Sequence, residues 1–423
     1  MNPTTPPALS LNEKEVAMTA VHLTPELVQN PVGAYAGLRS RPGLGHVVLP
    51  GLTTPVRLVT RHEDVKAALT EARLVRDRSA IGGCDLPDPQ AELLAEGAGG
   101  LPPEYARYLS GHLALFDGDE HTRRRSPLTR AFTARRVAAL SPFVQETARE
   151  LIGTLAGREQ ADLLGEFAYP LCTAVICALV GVDAGDQDKV CGWIRDFAYG
   201  DGSRVLEGLG GIVEYTKELV ARRRAEPADD LVSALLADGG LTDDEIVTVF
   251  FLLINTGITP PALFLAHAVL ALLDSPEQWE RLRTEPELLG RAVPELLRYV
   301  TLVRMGATLY ATEDFVFAGT ELRKGEAVTV ALFAADHDPA AYDAPERLDV
   351  GREFGRGDGH LAFGHGPHYC IGAALGRLVT GVVLDQLVVR RPAAPKLAAD
   401  RAELPFGHWP GDGFHLLALP VSL

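Results

Sequence analysis

The feature that most constrains this chain is one cysteine, Cys370, between a loop rich in glycine and histidine and an apolar helix. The segment reads HLAFGHGPHYCIGAALGRLVTGVVLDQL over residues 360–387. The start of a helix and its free backbone amides favour the thiolate form of a cysteine. Gly364, Gly366 and Gly372 permit the backbone turns that aim such amides at one sulfur. The pattern predicts a metal-bound thiolate at the start of a helix.

Two other interpretations of Cys370 stay open from the residues alone. The cysteine could pack as a small hydrophobe beside a glycine-rich turn. Alternatively, His360, His365, His368 and Cys370 could bind zinc, because imidazole and thiolate are its usual ligands, although their spacing matches no common zinc motif. The five cysteines are odd in number and scattered, which argues against a disulfide framework.

Composition limits the class of protein. The chain has 423 residues, 47% hydrophobic and 23% charged, which suits a large globular core. Its 40 basic and 56 acidic residues give a net charge of −16, so we predict no nucleic-acid partner and no binding to an anionic membrane. An unbroken run of about 18 apolar residues and a signal-peptide pattern are both missing, which predicts a cytoplasmic protein.

Periodicity and turn residues divide the chain into a loose N-terminal segment, 1–24, and a single domain, 25–423. Within that domain, 80–112 is rich in glycine and proline and predicts a substrate-facing loop. Helical periodicity dominates 118–300, and short strand patterns return after Leu302. We therefore predict a mainly α fold with a smaller β part.

The cysteine segment resembles the signature of a known family. FGHGPHYCIG matches, position by position, the motif F-x-x-G-x-[HR]-x-C-x-G of the cytochromes P450. The resemblance implies the cytochrome P450 fold of the soluble bacterial type, with a long central helix over haem and the cysteine loop beneath it. It also implies haem b (iron protoporphyrin IX), with Cys370 as the iron ligand that favours O–O cleavage. Phe363, Gly364 and Gly372 would contact the cofactor, and His368 would bind a haem propionate.

Two further motifs agree with this resemblance. DGDEHTRRRSPLTRAF places His121 and Arg125 where both side chains can reach one anionic group. It is similar to the family's H-x-x-x-R, whose members hold haem propionates. PELLRY places Glu295 and Arg298 on one helix face and resembles the family's E-x-x-R. Arg347 in APERLD would complete a buried, structural Glu/Arg/Arg cluster that supports the cysteine loop. Without the resemblance, a solvated basic face and a surface ion pair would explain both spacings.

The helix predicted over about 241–273 should cross the distal face of the haem. Where the family usually has A-G-x-[DE]-T, this chain has TGITPP over 256–261. Gly257 is kept, Thr259 replaces the acid and Pro260 replaces the alcohol of a pair that relays protons. The tandem prolines also remove two N–H donors, which predicts a kink.

Gly257 and Thr259 are, with Cys370, the predicted catalytic residues. Thr259 is the nearest remaining hydroxyl, but it lies about 100° around the helix axis from the missing one. A second departure is Leu309, near the position where the family commonly has an arginine for a haem propionate. The missing relay predicts substrate-assisted hydroxylation or a non-standard oxidation such as ring closure, coupling or desaturation.

The resemblance implies an oxidative tailoring enzyme of specialised metabolism, a monooxygenase that activates O2 on a small natural-product substrate. Electrons would come from NAD(P)H through a ferredoxin reductase and a ferredoxin, with Arg124, Arg352 and Arg377 as an electrostatic docking face. One alternative is a P450-like auxiliary protein that activates a glycosyltransferase, against which the intact Cys370 and His368 speak. Another is a peroxygenase, for which the sequence offers no distal acid.

Overall fold

The structure is a computed structural model of the chain. It describes residues 20–23, 31–84, 86–92, 102–199, 203–355, 357, 359–391, 393–409 and 413–422. Most of the predicted N-terminal segment 1–24 lies outside the described residues. The same is true of 85 and 93–101 within the predicted loop 80–112.

Helices make up most of the described chain, because apolar residues recur there at helical spacing. The first eight are α1 (Pro31–Arg39), α2 (His62–Ala68), α3 (Pro103–Ser110), α4 (Gly118–Ala131), α5 (Ala134–Ala139), α6 (Ser141–Leu155), α7 (Tyr169–Val180) and α8 (Gln187–Tyr199). The others are α9 (Ser203–Ala225), α10 (Leu231–Asp238), α11 (Asp243–Leu273), α12 (Pro276–Thr284), α13 (Leu289–Val300), α14 (Leu332–Asp336) and α15 (Ala373–Leu384). Leu163–Ala168 and Asp385–Val389 are π-helical.

The strands are short and form small sheets. They are β1 (Val21–His22), β2 (Gly45–Val48), β3 (Val56–Val59), β4 (Leu74–Val75), β5 (Ala161–Asp162), β6 (Leu309–Ala311), β7 (Phe315–Phe317), β8 (Thr320–Leu322), β9 (Ala327–Val330), β10 (Lys396–Leu397), β11 (Phe406–Trp409), β12 (Gly413–Leu416) and β13 (Pro420–Ser422). The six-stranded sheet has the order β1-β2-β3-β9-β6-β4, and β4 pairs with β6 antiparallel. The predicted fold class, mainly α with a smaller β part, is confirmed.

Helix α11 is the central element of the fold. It begins at a capping box in which the Glu245 amide donates to the Thr242 hydroxyl at 3.3 Å and the Thr242 amide donates to the Glu245 carboxylate at 2.9 Å. Its 31 residues continue without interruption through Pro260 and Pro261. It packs against α7, α9 and the π-helical turn before α7, so its middle lies inside the helical core.

Two helical stretches, Leu163–Val180 and Asp243–Leu273, are long and apolar enough on average to span a membrane. In each, 67% of the apolar window is buried inside the protein, as in core helices of globular domains. Thr256 and the two prolines after it interrupt the second stretch, so it contains no unbroken run of about 18 apolar residues.

The cysteine segment lies where the helical core meets the sheet. Leu361, before the loop, belongs to the hydrophobic cluster of the six-stranded sheet, and Leu375, after it, belongs to the large helical cluster. Helix α15 then packs against α13, α6 and α5. Both ends of the loop are thus fixed in separate cores, and Cys370 lies between them.

Candidate active site

The loop around Cys370 is closed by backbone hydrogen bonds. The Cys370 amide donates to the Phe363 carbonyl at 2.9 Å, which fixes the position of the cysteine relative to the start of the loop. Gly364 and Gly366 have φ angles of 72° and 71°, in the left-handed region that favours glycine. A Cβ on Gly366 would also lie 2.8 Å from the Leu69 carbonyl oxygen. The loop therefore packs closely on the end of α2, as its glycines suggested.

The Cys370 thiol experiences opposing electrostatic effects. Burial raises its pKa above the ordinary value, while the amides of Gly372 and Ala373 and the positive charges of Arg125 and Arg377 lower it. The amide contacts predicted from the helix start are present, but burial outweighs them. The side chain is nevertheless exposed. Protein therefore surrounds the sulfur without covering it.

The zinc alternative receives no support. In the described part of the chain, no group of three or more histidine, cysteine, aspartate or glutamate side chains could hold a metal ion. Cys370 therefore stays the candidate metal ligand of this loop, without the histidines as co-ligands.

His121 and His368 lie against one another, with ring centroids 4.1 Å apart, as expected for residues that share one ligand. Arg125 donates from its guanidinium to the Tyr369 carbonyl, next to Cys370. His121 is buried, and its Nε2 has no hydrogen-bond partner. Burial, together with the charges of His368 and Arg125, lowers the pKa of His121 to about 4. The structure thus brings the three predicted propionate residues together.

Asp117 is a member of this group that the sequence did not reveal. Its carboxylate accepts hydrogen bonds from the amides of Arg76 and Asp77 at 2.6 and 2.9 Å, and lies 3.5 Å from His368 Nε2. Burial raises its pKa, but the bonds from His368 and the two amides more than offset this and hold the pKa below its ordinary value. Asp117 therefore orients His368, and no motif marks it.

The predicted Glu/Arg/Arg cluster exists with a different third member. Glu295 and Arg298 are fully buried, and the Arg298 Nε donates to Glu295 at 2.7 Å. Arg352 donates from Nε to Glu295 at 3.0 Å. The prediction of Arg347 was wrong: its side chain is exposed, and it contributes only its carbonyl oxygen, to both other guanidiniums. The chain turns back after Arg347, and this brings Arg352 to the carboxylate.

A second buried carboxylate connects this cluster to the cysteine loop. The Asp336 side chain accepts from the Leu361 amide at 2.7 Å and from the Thr301 hydroxyl at 2.8 Å. Arg298 donates to the main-chain oxygens of Asp336 and Pro345. These contacts support the structural role predicted for Glu295 and Arg298.

The middle of α11 places its side chains differently from the prediction. Between Glu245 and Leu273, Thr256 is the one exposed residue. A Cβ on Gly257 would lie 2.7 Å from Ile176, so this glycine serves packing against α7. Thr259 is 4% exposed, and its hydroxyl is buried without a partner. These positions argue against the catalytic roles predicted for Gly257 and Thr259, and Thr256 was missed.

The docking face predicted from three arginines is not supported. Arg352 belongs to the buried cluster. Arg124 is 17% exposed, pairs with Glu120 at 2.7 Å and lies over the ring of Phe116. Arg377 is half-buried and donates to the Tyr369 hydroxyl at 2.7 Å. All three guanidiniums are therefore engaged within the chain.

Comparison with known proteins agrees with this geometry. A family model described as Cytochrome P450 matches residues 209–390. Nocardicin C N-oxygenase from Nocardia uniformis subsp. tsuyamanensis is 37% identical over 92% of this chain and 94% of that protein. The chain belongs to the cytochrome P450 family. Mycinamicin IV hydroxylase/epoxidase from Micromonospora griseorubida is 36% identical over 79% of this chain and 82% of that protein. The solved structure of the ligand-free P450 monooxygenase TamI is 32% identical, with a TM-score of 0.82, over 95% of this chain and 94% of that chain.

As a cytochrome P450 of the bacterial type, this protein is a monooxygenase whose cofactor is haem b, with electrons supplied from NAD(P)H through redox partners. The residues present fit that group. Cys370 offers an exposed sulfur, a Cβ on Gly364 would meet open space, and the buried Nε2 of His121 lacks a partner that a propionate oxygen would supply. When bound, haem supplies the iron centre that activates dioxygen. Cys370 would ligate the iron, and His121, Arg125 and His368 would hold the propionates.

Proposed function

We propose that this cytochrome P450 is a tailoring monooxygenase of natural-product metabolism in which Thr256 positions a water molecule or a substrate group as the distal proton source. The observation that carries the proposal is the middle of α11. There Thr256 is exposed, and a proline occupies the same helix face one turn later, in place of an alcohol. When haem is bound to Cys370, α11 would lie across its opposite face, as the family resemblance implies.

Three oxygen atoms form what we call the acceptor notch: Oγ1 of Thr256 and the main-chain oxygens of Thr256 and Gly257. The Thr256 hydroxyl donates to the Leu252 carbonyl at 2.7 Å, which leaves its oxygen free to accept. Pro260 and Pro261 have no N–H to donate to the two main-chain oxygens along the helix. Water or a substrate hydroxyl or amine can donate to such acceptors.

The acceptor notch can therefore bind groups that carry protons, although the notch itself contains no acidic side chain. After Glu245, no aspartate or glutamate occurs up to the end of α11. Proton delivery then depends on how well the bound substrate orders water or presents its own hydroxyl. Ring closure, coupling and desaturation compete with hydroxylation at such a site, and the product identifies which of them occurs.

The substrate class proposed for this protein is based on the names of its relatives. Their names describe enzymes acting on nocardicin C and mycinamicin IV, both at more than one third sequence identity to this chain. For this protein we propose a natural product of comparable kind, oxidised in the cytoplasm with electrons from a ferredoxin and its reductase. The net charge of −16 agrees with a small-molecule substrate in place of a polyanion.

The test uses two matched substitutions, Thr256→Val and Thr259→Val, since valine keeps the shape of threonine and removes the hydroxyl. A panel of macrolactone and peptide natural products is first screened for a substrate-induced shift of the haem absorption band. With a hit, ferredoxin, reductase and NADPH, Thr256→Val should form at least about tenfold less product per NADPH and release more peroxide. Thr259→Val should match the wild type, because its hydroxyl has no partner to lose.

Equal product per NADPH in both variants would overturn the role of Thr256. A protein that purifies without haem and yields no product would favour the auxiliary-protein alternative. Turnover with hydrogen peroxide alone, at the rate seen with the redox partners, would favour the peroxygenase.

A further inference from the structure

Arg76 follows strand β4 directly and lies beside the propionate residues. β4 pairs antiparallel with β6 in a register that joins Leu74 to Ala311 and Val75 to Tyr310. One more step in the same register places Arg76 opposite Leu309. Residues directly opposite one another in an antiparallel pair point to the same face of the sheet. The side chains of Arg76 and Leu309 thus lie on the same face of the six-stranded sheet, and the side chain of Leu309 is apolar.

The Arg76 side chain is anchored, yet one of its donors is unused. Its Nη1 donates to the Ala114 carbonyl at 3.0 Å. Its Nε is buried and has no hydrogen-bond partner. Two other buried nitrogens nearby share this state, Nδ1 of His112 and Nε2 of His121. The charge of Arg76 acts on both histidines, so the three nitrogens belong to one neighbourhood. Because buried polar atoms are normally hydrogen-bonded, three unpartnered nitrogens in one neighbourhood indicate an absent acceptor.

The charges around Arg76 indicate the charge that the absent acceptor should carry. Burial lowers the pKa of Arg76 to about 10, and the positive charge of Arg125 acts in the same direction. Asp117 is the negative group that raises the pKa of Arg76, and it already accepts two backbone amides. The Arg76 side chain thus lies near a second positive charge and a carboxylate that is already hydrogen-bonded. A buried positive charge in this setting is stabilised by an anionic ligand.

We propose that Arg76 binds a haem propionate and supplies there the guanidinium that Leu309 does not. Haem b carries two propionates, and the cluster offers two guanidiniums, Arg76 and Arg125, whose charges both act on His121. Arg76 pairs with one propionate through its unused Nε, while its contact with Ala114 holds the guanidinium in place. His112 lies close enough to Arg76 for its pKa to be lowered by that charge, after the larger effect of burial.

The test measures haem binding and reduction potential, not activity alone. Arg76→Gln removes the charge, Arg76→Lys keeps it, and Arg73→Gln is the matched control three residues earlier. Arg73 is 43% exposed and pairs with Glu71 at 2.8 Å, away from the cluster. Each haem-free protein is titrated with hemin, each loaded protein is titrated for its ferric/ferrous potential, and the unfolding of both forms is recorded.

Arg76→Gln should weaken hemin binding by about ten- to hundredfold, the range for loss of one hydrogen bond to a charged group. It should also make the reduction potential more negative, because a positive charge near the iron is lost. Arg76→Lys should lie between Arg76→Gln and the wild type, and Arg73→Gln should equal the wild type.

Three results would overturn the proposal. The first is wild-type hemin affinity and potential in Arg76→Gln. The second is an equal effect of Arg73→Gln. The third is a loss of stability that is the same with and without haem while the potential stays unchanged, which would assign Arg76 a purely structural role.

Discussion

Replacing Arg352 by leucine should lower the free energy of unfolding by about 3 kcal/mol, whereas replacing Arg347 by leucine should lower it by less than about 0.5 kcal/mol. The two arginines are five positions apart and carry the same charge. Of these two arginines, only Arg352 donates from its guanidinium to the buried Glu295 carboxylate. The two substitutions therefore distinguish Arg352, which the structure places in the cluster, from Arg347, which the sequence predicted there.

The magnitude follows from the contacts that each substitution removes. Arg352 donates to Glu295 at 3.0 Å and to the carbonyls of Asp343 and Arg347 at 2.8 and 3.2 Å. A bond to a charged group contributes about 1.5–3 kcal/mol and a neutral one about 0.5–1.5 kcal/mol. Leaving a buried charge without any partner costs roughly 3–5 kcal/mol. That cost does not arise in Arg352→Leu, because Arg298 still neutralises Glu295. The expected loss of about 3 kcal/mol therefore comes from the lost hydrogen bonds alone.

Urea unfolding of the haem-free protein, followed by circular dichroism, measures this difference without contribution from the cofactor. An unfolding entropy of about 2.1 cal/mol/K per residue implies a fall in melting temperature of roughly 3 °C for Arg352→Leu. Arg347→Leu keeps the main-chain oxygen that both guanidiniums use, so its melting temperature should stay within about 1 °C of the wild type. A loss in Arg347→Leu as large as that in Arg352→Leu would refute the assignment.

Three other outcomes are expected. Burial raises the pKa of Asp336 to about 7, so the folded protein holds a proton that the unfolded chain releases above about pH 4. Stability from this group therefore falls as pH rises from about 4 to 7, and urea unfolding of Asp336→Asn across that range should show a flatter profile; parallel profiles would contradict the assignment. Gly364→Ala should cost about 1–2 kcal/mol for its left-handed backbone, and Gly366→Ala at least about 1 kcal/mol more, because its Cβ would also meet the Leu69 carbonyl at 2.8 Å; equal melting temperatures for the two would refute the contact. Cys370→Ala, reduced and exposed to carbon monoxide, should lose the red-shifted thiolate-type absorption band of the wild type, and a retained band would exclude Cys370 as the ligand.

Contiguous motifs were predictable from the sequence. The cysteine loop and the spacing of His121 and Arg125 depend on local periodicity and turn chemistry. The structure places these features where the sequence indicated. The neighbourhood of Glu295 and Arg298 was also predictable, because residues three apart on a helix share a face.

Features that depend on the path of irregular chain were not predictable. Arg347 and Arg352 lie in a segment without periodicity, and only its turn decides which guanidinium reaches Glu295. Arg76 and Leu309 become neighbours through a strand pairing that joins residues more than 200 positions apart. Thr256 is different, since its spacing of four from Pro260 could have indicated a shared helix face.

The buried Glu295–Arg298 pair is complete within the polypeptide. Each N–H of the Arg298 guanidinium and each oxygen of the Glu295 carboxylate meets a protein partner. The newly made chain can therefore build the support of its cysteine loop before any cofactor arrives. We expect cells short of iron to accumulate a folded precursor that loads haem late, so that supply of the cofactor, and not folding, sets the amount of active enzyme.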